Sequence, residues 1–281
     1  MILISAVIIT YNEEKNIGRC LDSVKLLADE IIVLDAYSTD KTVEIAKSRG
    51  ALVKQGYFLG YIQQKNSAIS FASNNYILSL DADEALDEAL INSILEVKLN
   101  FAADAYSMNR CTNYCGKYIR NGTWYPDKKI RLFDKRVARW GGTNPHDKIE
   151  LPGENKQVKH LKGDILHYSF PTIEQHLEKN NKYSSIAARA LFARGAKSSW
   201  FKILVNPFWA FFHGFVIRRG FLDGFYGFVI SINTAHGTFL KYIKLYHLQR
   251  TQKTKQATSS ARANTVAISD QLNKVANDVM P

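Results

Sequence analysis

Three carboxylates, Asp81, Asp83 and Glu84, follow directly on the apolar run of YILSLDADEAL at residues 76–86. An Asp-x-Asp pair closing a buried strand can hold a divalent cation, and a cation held there neutralises a diphosphate. The same letters also fit a solvated turn with Asp87 capping the next helix. Company favours the cation. Asp35 closes an earlier apolar run, IIVLD, and a Gln64-Lys65-Asn66 cluster sits on the helical segment just before the acids.

Strands must bring these groups together. Up to about Asn100, β-rich runs at 5–10, 31–35, 51–54 and 76–80 alternate with helical patterns at 13–24, 41–48, 61–72 and 87–98. Apolar runs without polar alternation read as strands covered on both faces, so the alternation predicts an α/β fold with a mainly parallel, Rossmann-like central sheet. Asp40 is the expected N-cap and Gly50 the expected stop of the second helix. Ligands of such sheets bind beyond the carboxyl ends of the strands, and the clusters TYNEE, DAYSTD and DADE all fall there. From Ala105 to Tyr168 the strand-like AYSMNR, KIRLF and DILHYS predict an antiparallel extension able to hold an acceptor.

Composition narrows the partners. The 46% hydrophobic and 22% charged residues are ordinary for a globular chain, so wholesale disorder is excluded. A net charge of +11 favours anionic partners. Basic residues in the first half are dispersed among acids and no zinc-finger or RNP-type signature occurs, which argues against nucleic acid. Cys20, Cys111 and Cys115 are too few for a disulfide framework and read as reduced thiols. The opening MILISAVIITYNEEK lacks the features of an export peptide and reads as a first core strand.

After Thr172 the pattern is helical, with very apolar stretches at 201–217 and 221–245 interrupted by Asn206, Pro207, His213, Asn233 and His236. Neither is a clean spanning helix, which needs roughly 20 apolar residues. Basic residues beside aromatic ones suit an interfacial helix on an anionic leaflet. A buried helical hairpin with a basic solvent face fits equally, and sequence leaves both open. The expected division is a nucleotide-binding and catalytic domain at 1–170, a helical extension at 171–249 and a mobile polar tail at 250–281 with a short helix near its end.

Together VIITYNEEKNIGRCLDSV, IIVLDAYSTDKTVEIAKSRG, QKNSAI and YILSLDADE resemble the inverting family 2 glycosyltransferases of the GT-A fold. The later RLFDK, PHDKIELPG, LHYSF and RRGFLDGFYGF look like the subgroup containing lipopolysaccharide core β-1,4-glucosyltransferases. The resemblance implies that Thr10, Tyr11 and Asn12 cradle a nucleobase, with Glu13 or Glu14 near the ribose. Asp35 would accept from uracil N3–H; Ala36 stands where many relatives carry a second Asp. Lys65 would lie near the base or phosphates, its bland alternative being a solvated helix lysine. Asp81 would meet the ribose or a metal-bound water, and Asp83 would bind Mn²⁺ or Mg²⁺, leaving Glu84 a structural role.

Relatives often carry a His-Glu pair after the RLF strand, and here His146-Asp147 occupies that place. Asp147 is therefore the expected general base, Asp127 the second candidate, and His146 a neighbour of acceptor or phosphate. His167 resembles a further metal or diphosphate ligand. Arg131 would meet a phosphate or pair with Asp127 or Asp134, while Trp124 and Tyr125 would stack on an acceptor sugar or fill the core. The implied activity moves glucose or a related hexose from a UDP-sugar to a lipopolysaccharide-core or other lipid-linked glycan. It would run in the cytoplasm at the inner face of the membrane, in peripheral contact with anionic lipid. Two alternatives remain at this stage: a haloacid-dehalogenase-type phosphatase, although Ala85 stands where its motif carries Thr or Val, and a non-catalytic basic membrane-binding module.

Overall fold

The computed structural model describes residues 1–143 and 146–279, without the side chains of His146, Lys255 and residues 257–279. The chain forms two compact units, Met1–Ile173 and Glu174–Pro281.

The first unit opens with β1 (Ile4–Thr10), α1 (Ile17–Val24), β2 (Glu30–Asp35), α2 (Thr42–Ser48), β3 (Leu52–Gln55), α3 (Tyr61–Ser70) and β4 (Tyr76–Asp81). These are the strands and helices expected from the apolar runs, with α1 starting later because residues 14–16 form a turn. β3, β2, β1 and β4 lie side by side and parallel. β1 is buried along almost its whole length, which is why its sequence does not alternate. Asp40 accepts from the Thr42 N–H at 3.0 Å at the start of α2, and Gly50 ends the following turn at φ +82°.

The rest of the unit comprises β5 (Glu84–Leu86), α4 (Glu88–Leu99), β6 (Ala105–Tyr114), β7 (Lys117–Tyr118), β8 (Asp127–Asp134), β9 (Arg139–Thr143), β10 (His146–Glu150) and β11 (Val158–Phe170). Asp87 caps α4 by accepting from Leu90 N–H at 2.8 Å. The expected extension is not a separate layer. β8 pairs antiparallel with β4, β6 with β8, and β11 runs parallel to β6, so one mixed sheet continues in the order β3-β2-β1-β4-β8-β6-β11-β5. β9 and β10 form a separate two-stranded ribbon.

The second unit contains α5 (Ile173–Ala193), α6 (Trp200–Phe212), a π-turn at His213–Ile217, a 3₁₀ turn at Gly220–Asp223 and α7 (Gly224–Val279). Ser199 caps α6, accepting from Lys202 N–H. The polar stretch after residue 249 continues α7 and is not a loose tail; after Gly237 the chain holds no Gly or Pro until Pro281, and Ala is the commonest residue of the stretch. α6 is not the core of a buried hairpin. Phe201 and Phe208 are 71% and 70% exposed, and Ile203 is the buried residue of that helix.

α6 and the π-turn meet α7 through Phe211 and Phe215, both edge-on to Phe228 at 6.1 and 5.8 Å. Their turn closes on glycines: a Cβ on Gly227 would fall 1.9 Å from the Gly220 carbonyl oxygen. Gly→Ala in a helix ordinarily gains up to about 1 kcal/mol. Here backbone blocks the methyl, and overpacking costs about 1–3 kcal/mol. Gly227→Ala is therefore expected to lower the melting temperature of the second unit, measured by circular dichroism; a rise would contradict the close approach.

Candidate active site

Register places the acids on one edge. Thr10 of β1 pairs with Asp35 of β2, and Ile9 pairs with Asp81 of β4. Parallel neighbours are about 4.8 Å apart, so Asp35 and Asp81 lie roughly 10 Å from each other at the carboxyl ends of three adjacent strands. The loops after β1 and β2 are stapled together. Asn12, at φ +52°, donates its N–H to Ser38 Oγ and accepts from Thr39 N–H, both at 2.8 Å. Glu13 and Glu14 donate their N–H groups to Thr42 Oγ1 and Asp40 Oδ2. Tyr11 remains exposed.

Asp35 stands where the base-recognising acid is expected, but it is 0% exposed. Its Oδ1 accepts from Ser38 Oγ, and its Oδ2 accepts from Ser38 N–H at 2.9 Å and Gln55 Nε2 at 3.1 Å. In this conformation both oxygens organise the loop. Oδ1 keeps one acceptor position, but with Asp35 buried a uracil N3–H reaches it only where the covering loop shifts.

The centre of the edge is an ion-pair network. Asn66 of α3 grips β9 from both sides, donating to Trp140 O at 2.9 Å and accepting from Trp140 N–H at 3.1 Å. That contact sets the adjacent Lys65, which is 3% exposed and therefore not the solvated lysine its polar neighbours imply. Lys65 Nζ lies 3.0 Å from Asp81 Oδ1 and 2.7 Å from Asp147 Oδ2, over the Trp140 ring. A buried ammonium persists only with such partners.

Arg131 does not pair with Asp127 or Asp134; its Nη2 lies 2.7 Å from Glu84 Oε1 and 3.2 Å from Asp81 Oδ2. Burial pushes the Asp81 carboxyl up, but the charges of Lys65 and Arg131 and the Lys65 hydrogen bond outweigh it and hold the group well below the usual carboxylate range. Burial opposes the Arg131 charge likewise, and Glu84 and Asp81 together raise its pKa. Glu84, fully buried, also accepts from Asp81 N–H at 3.0 Å. Glu84→Leu would leave that guanidinium short of its nearest acid, a loss of about 3–5 kcal/mol by analogy with broken buried pairs. Denaturant unfolding should show it, with Glu84→Gln recovering part.

Asp83 occupies the turn between β4 and β5. Its Oδ2 faces His167 Nε2 at 3.3 Å, and its carbonyl accepts from Tyr168 N–H at 2.9 Å. One carboxylate and one imidazole fit Mn²⁺ or Mg²⁺, which complete their shell with water and substrate phosphates. No cluster of three such side chains occurs among the described residues. Buried polar atoms left without a protein hydrogen bond at this edge include Thr10 Oγ1, Gln64 Nε2, Arg131 Nη1 and His167 Nδ1. Buried polar groups are ordinarily bonded, so these atoms fit a polar ligand.

The two base candidates differ. Asp127 gives one oxygen to Arg110 at 2.8 Å and the other to Lys129 at 3.0 Å. Asp147, on β10, is held through Oδ2 by Lys65. Trp124 stacks on Phe170, with ring centroids 5.1 Å apart, and Tyr125 donates its hydroxyl to Asp164 Oδ1 at 2.9 Å, so both engage protein partners. The His146 side chain lies outside the described residues. Sequence reasoning missed Trp140, Arg110 and Gln55. Trp140 is flanked by a basic and a glycine residue, a pattern that signals nothing by itself.

Comparison with known proteins supplies the rest. The model of glycosyl transferase family 2 matches residues 5–150, the span that carries β1 through β10. A glycosyltransferase of Rickettsia typhi is 40% identical over 257 residues, covering 87% of both chains. The lipopolysaccharide core biosynthesis glycosyltransferase LpsC of Rhizobium meliloti is 28% identical over 86% of this chain and 92% of its own. Among solved structures, glucosyl-3-phosphoglycerate synthase from Mycobacterium tuberculosis, in complex with Mn²⁺, UDP and phosphoglyceric acid, overlays 70% of this chain and 80% of its own at 17% identity with a TM-score of 0.45. The phosphatase and non-catalytic alternatives fall away, because the acids converging on one sheet edge sit inside the matched span and the chain belongs to glycosyl transferase family 2.

Proposed function

We propose that this glycosyltransferase moves a hexose from a UDP-sugar, with inversion and with a divalent cation, to a lipopolysaccharide-core or other lipid-linked glycan. The observation that carries the reading is Lys65, which ties the donor motif at Asp81 to the base candidate Asp147 within 3.0 and 2.7 Å. The name of LpsC, a lipopolysaccharide core biosynthesis enzyme similar over most of the chain, favours that acceptor. The work would take place in the cytoplasm, at the inner face of the membrane.

Asp83 and His167 would hold the cation, Mn²⁺ or Mg²⁺. Bound there, it supplies positive charge against the diphosphate as the glycosidic bond breaks. Asp81 stays ionised beside Lys65 and Arg131 and is available to the ribose. An acceptor hydroxyl oxygen attacks the anomeric carbon, its proton passes to an Asp147 carboxylate oxygen, and the electron pair of the broken bond leaves with the diphosphate. Inversion requires that base opposite the leaving group. Lys65 holds Asp147 in place for the transfer.

Calorimetry with UDP-, GDP- and CDP-sugars, with and without Mn²⁺, followed by turnover with the tightest binder, tests the reading. UDP-sugars should bind best, and Mn²⁺ should tighten them. Preference for another nucleotide, or binding indifferent to the cation, would reject it.

A further inference from the structure

Net charge is not spread along this chain. From Lys179 to Ser269 there are fourteen Lys and Arg against one acid, Asp223, and the remainder of the sequence is two charges to the acidic side. That one acid is buried. The second unit, Glu174–Pro281, therefore carries +10 of the net +11, and the first unit, which holds the residues assigned to chemistry, is almost neutral.

The same unit leaves an apolar stripe in water. Phe201, Leu204, Phe208, Trp209 and Phe212 recur at helical spacing along α6 and are exposed, with Trp200 at its start 67% exposed. Ile203, on the opposite side, is buried. Soluble proteins rarely leave a contiguous face of this kind without a partner. Exposed basic residues bracket it, Lys197 and Lys202 at one end and Arg218 and Arg219 at the other. Close backbone approaches, of Gly220 to Gly214 and of Gly227 to Gly220, pack the turn that follows α6.

We infer that α6 docks in the plane of one leaflet of an anionic phospholipid bilayer, its aromatic stripe among the acyl chains and its flanking basic residues on the headgroups. Interfacial helices bind through this pairing of apolar face and positive charge, and indoles favour the same depth. A polyanion such as nucleic acid answers the charge but not the stripe. By length Trp200–Ile217, 18 residues, is sufficient to cross a membrane, but its polar content and the basic residues at both ends of the stripe favour the interface. This window includes Asn206 and His213, and the returning α7 carries Asn233, Thr234, exposed His236 and Thr238. The inference does not depend on the identity of the donor.

The test uses the full chain with phosphatidylcholine vesicles, with and without phosphatidylglycerol, in a sedimentation assay. Anionic vesicles should bind at least about tenfold more tightly, given about 1 kcal/mol per basic residue near such a surface. Phe208→Glu/Trp209→Glu should lose binding by about a hundredfold, since each buried aromatic side chain is worth about 1.5–3 kcal/mol. Trp209→Gln is the milder companion, expected to lose about tenfold. Both exposed positions should leave the circular dichroism spectrum and donor binding unchanged. Tryptophan emission should be quenched more by lipids brominated near the headgroup than at the chain end. Equal sedimentation with neutral vesicles, undiminished binding by the double variant, or stronger quenching from the chain end would each overturn the inference.

Discussion

Asp83→Ala is expected to remove cation-dependent sugar transfer, with turnover falling by about 10²–10³ or more, the scale seen when one group stabilising developing charge is deleted. Its structure should survive. The turn is held through the main chain, by the Tyr168 N–H on the Asp83 carbonyl, and among the described residues the side chain meets His167 Nε2 at 3.3 Å, partly exposed on both sides. Such a contact contributes about 0–1 kcal/mol. Turnover with Mn²⁺, beside a thermal melt of the same preparation, reads both expectations. Full activity in the variant would dismiss Asp83 as the cation's ligand.

Asp147→Asn should act on a different quantity. Asparagine keeps the shape and an acceptor for Lys65 but cannot take a proton, so turnover should fall by about 10²–10⁴ while donor affinity changes little. Lys65 retains Asp81 as its partner, which protects the donor side of the network. Asp127→Asn is the matching control. It weakens the contacts to Arg110 and Lys129 and should reduce turnover far less. If Asp127→Asn causes the larger loss, the general base is Asp127.

The parallel half of the sheet was legible because its strands are covered on both faces and its helices end on Gly50 or begin at Asp87, both local signals. The convergence of TYNEE, DAYSTD and DADE followed from that topology alone. The continuation through β8 was not legible, since pairing of residue 76 with 134 leaves no mark in either local pattern. Lys65 shows the same gap at the site. Its partners are 16 and 82 residues away, and between Gln64 and Asn66 it looks solvated. Arg131 was expected to meet a phosphate or to pair with Asp127 or Asp134, and its acidic partners are instead Asp81 at the end of β4 and Glu84 at the start of β5. Exposure of α6 was likewise hidden, because an apolar helix and its partner are separate facts.

β5 follows β4 by two residues, yet its hydrogen-bonded partner is β11, the last strand of the unit. Asp81 is thus seated by the first strands to be synthesised, whereas the turn bearing Asp83 acquires its support only from residues near 165–168. A ribosome-bound chain that has emerged only through β4 holds half of its donor motif, and competence arrives with one of the last pairings in the unit. Such long-range pairing is slow to form, so during refolding the return of nucleotide affinity should trail the return of bulk secondary structure.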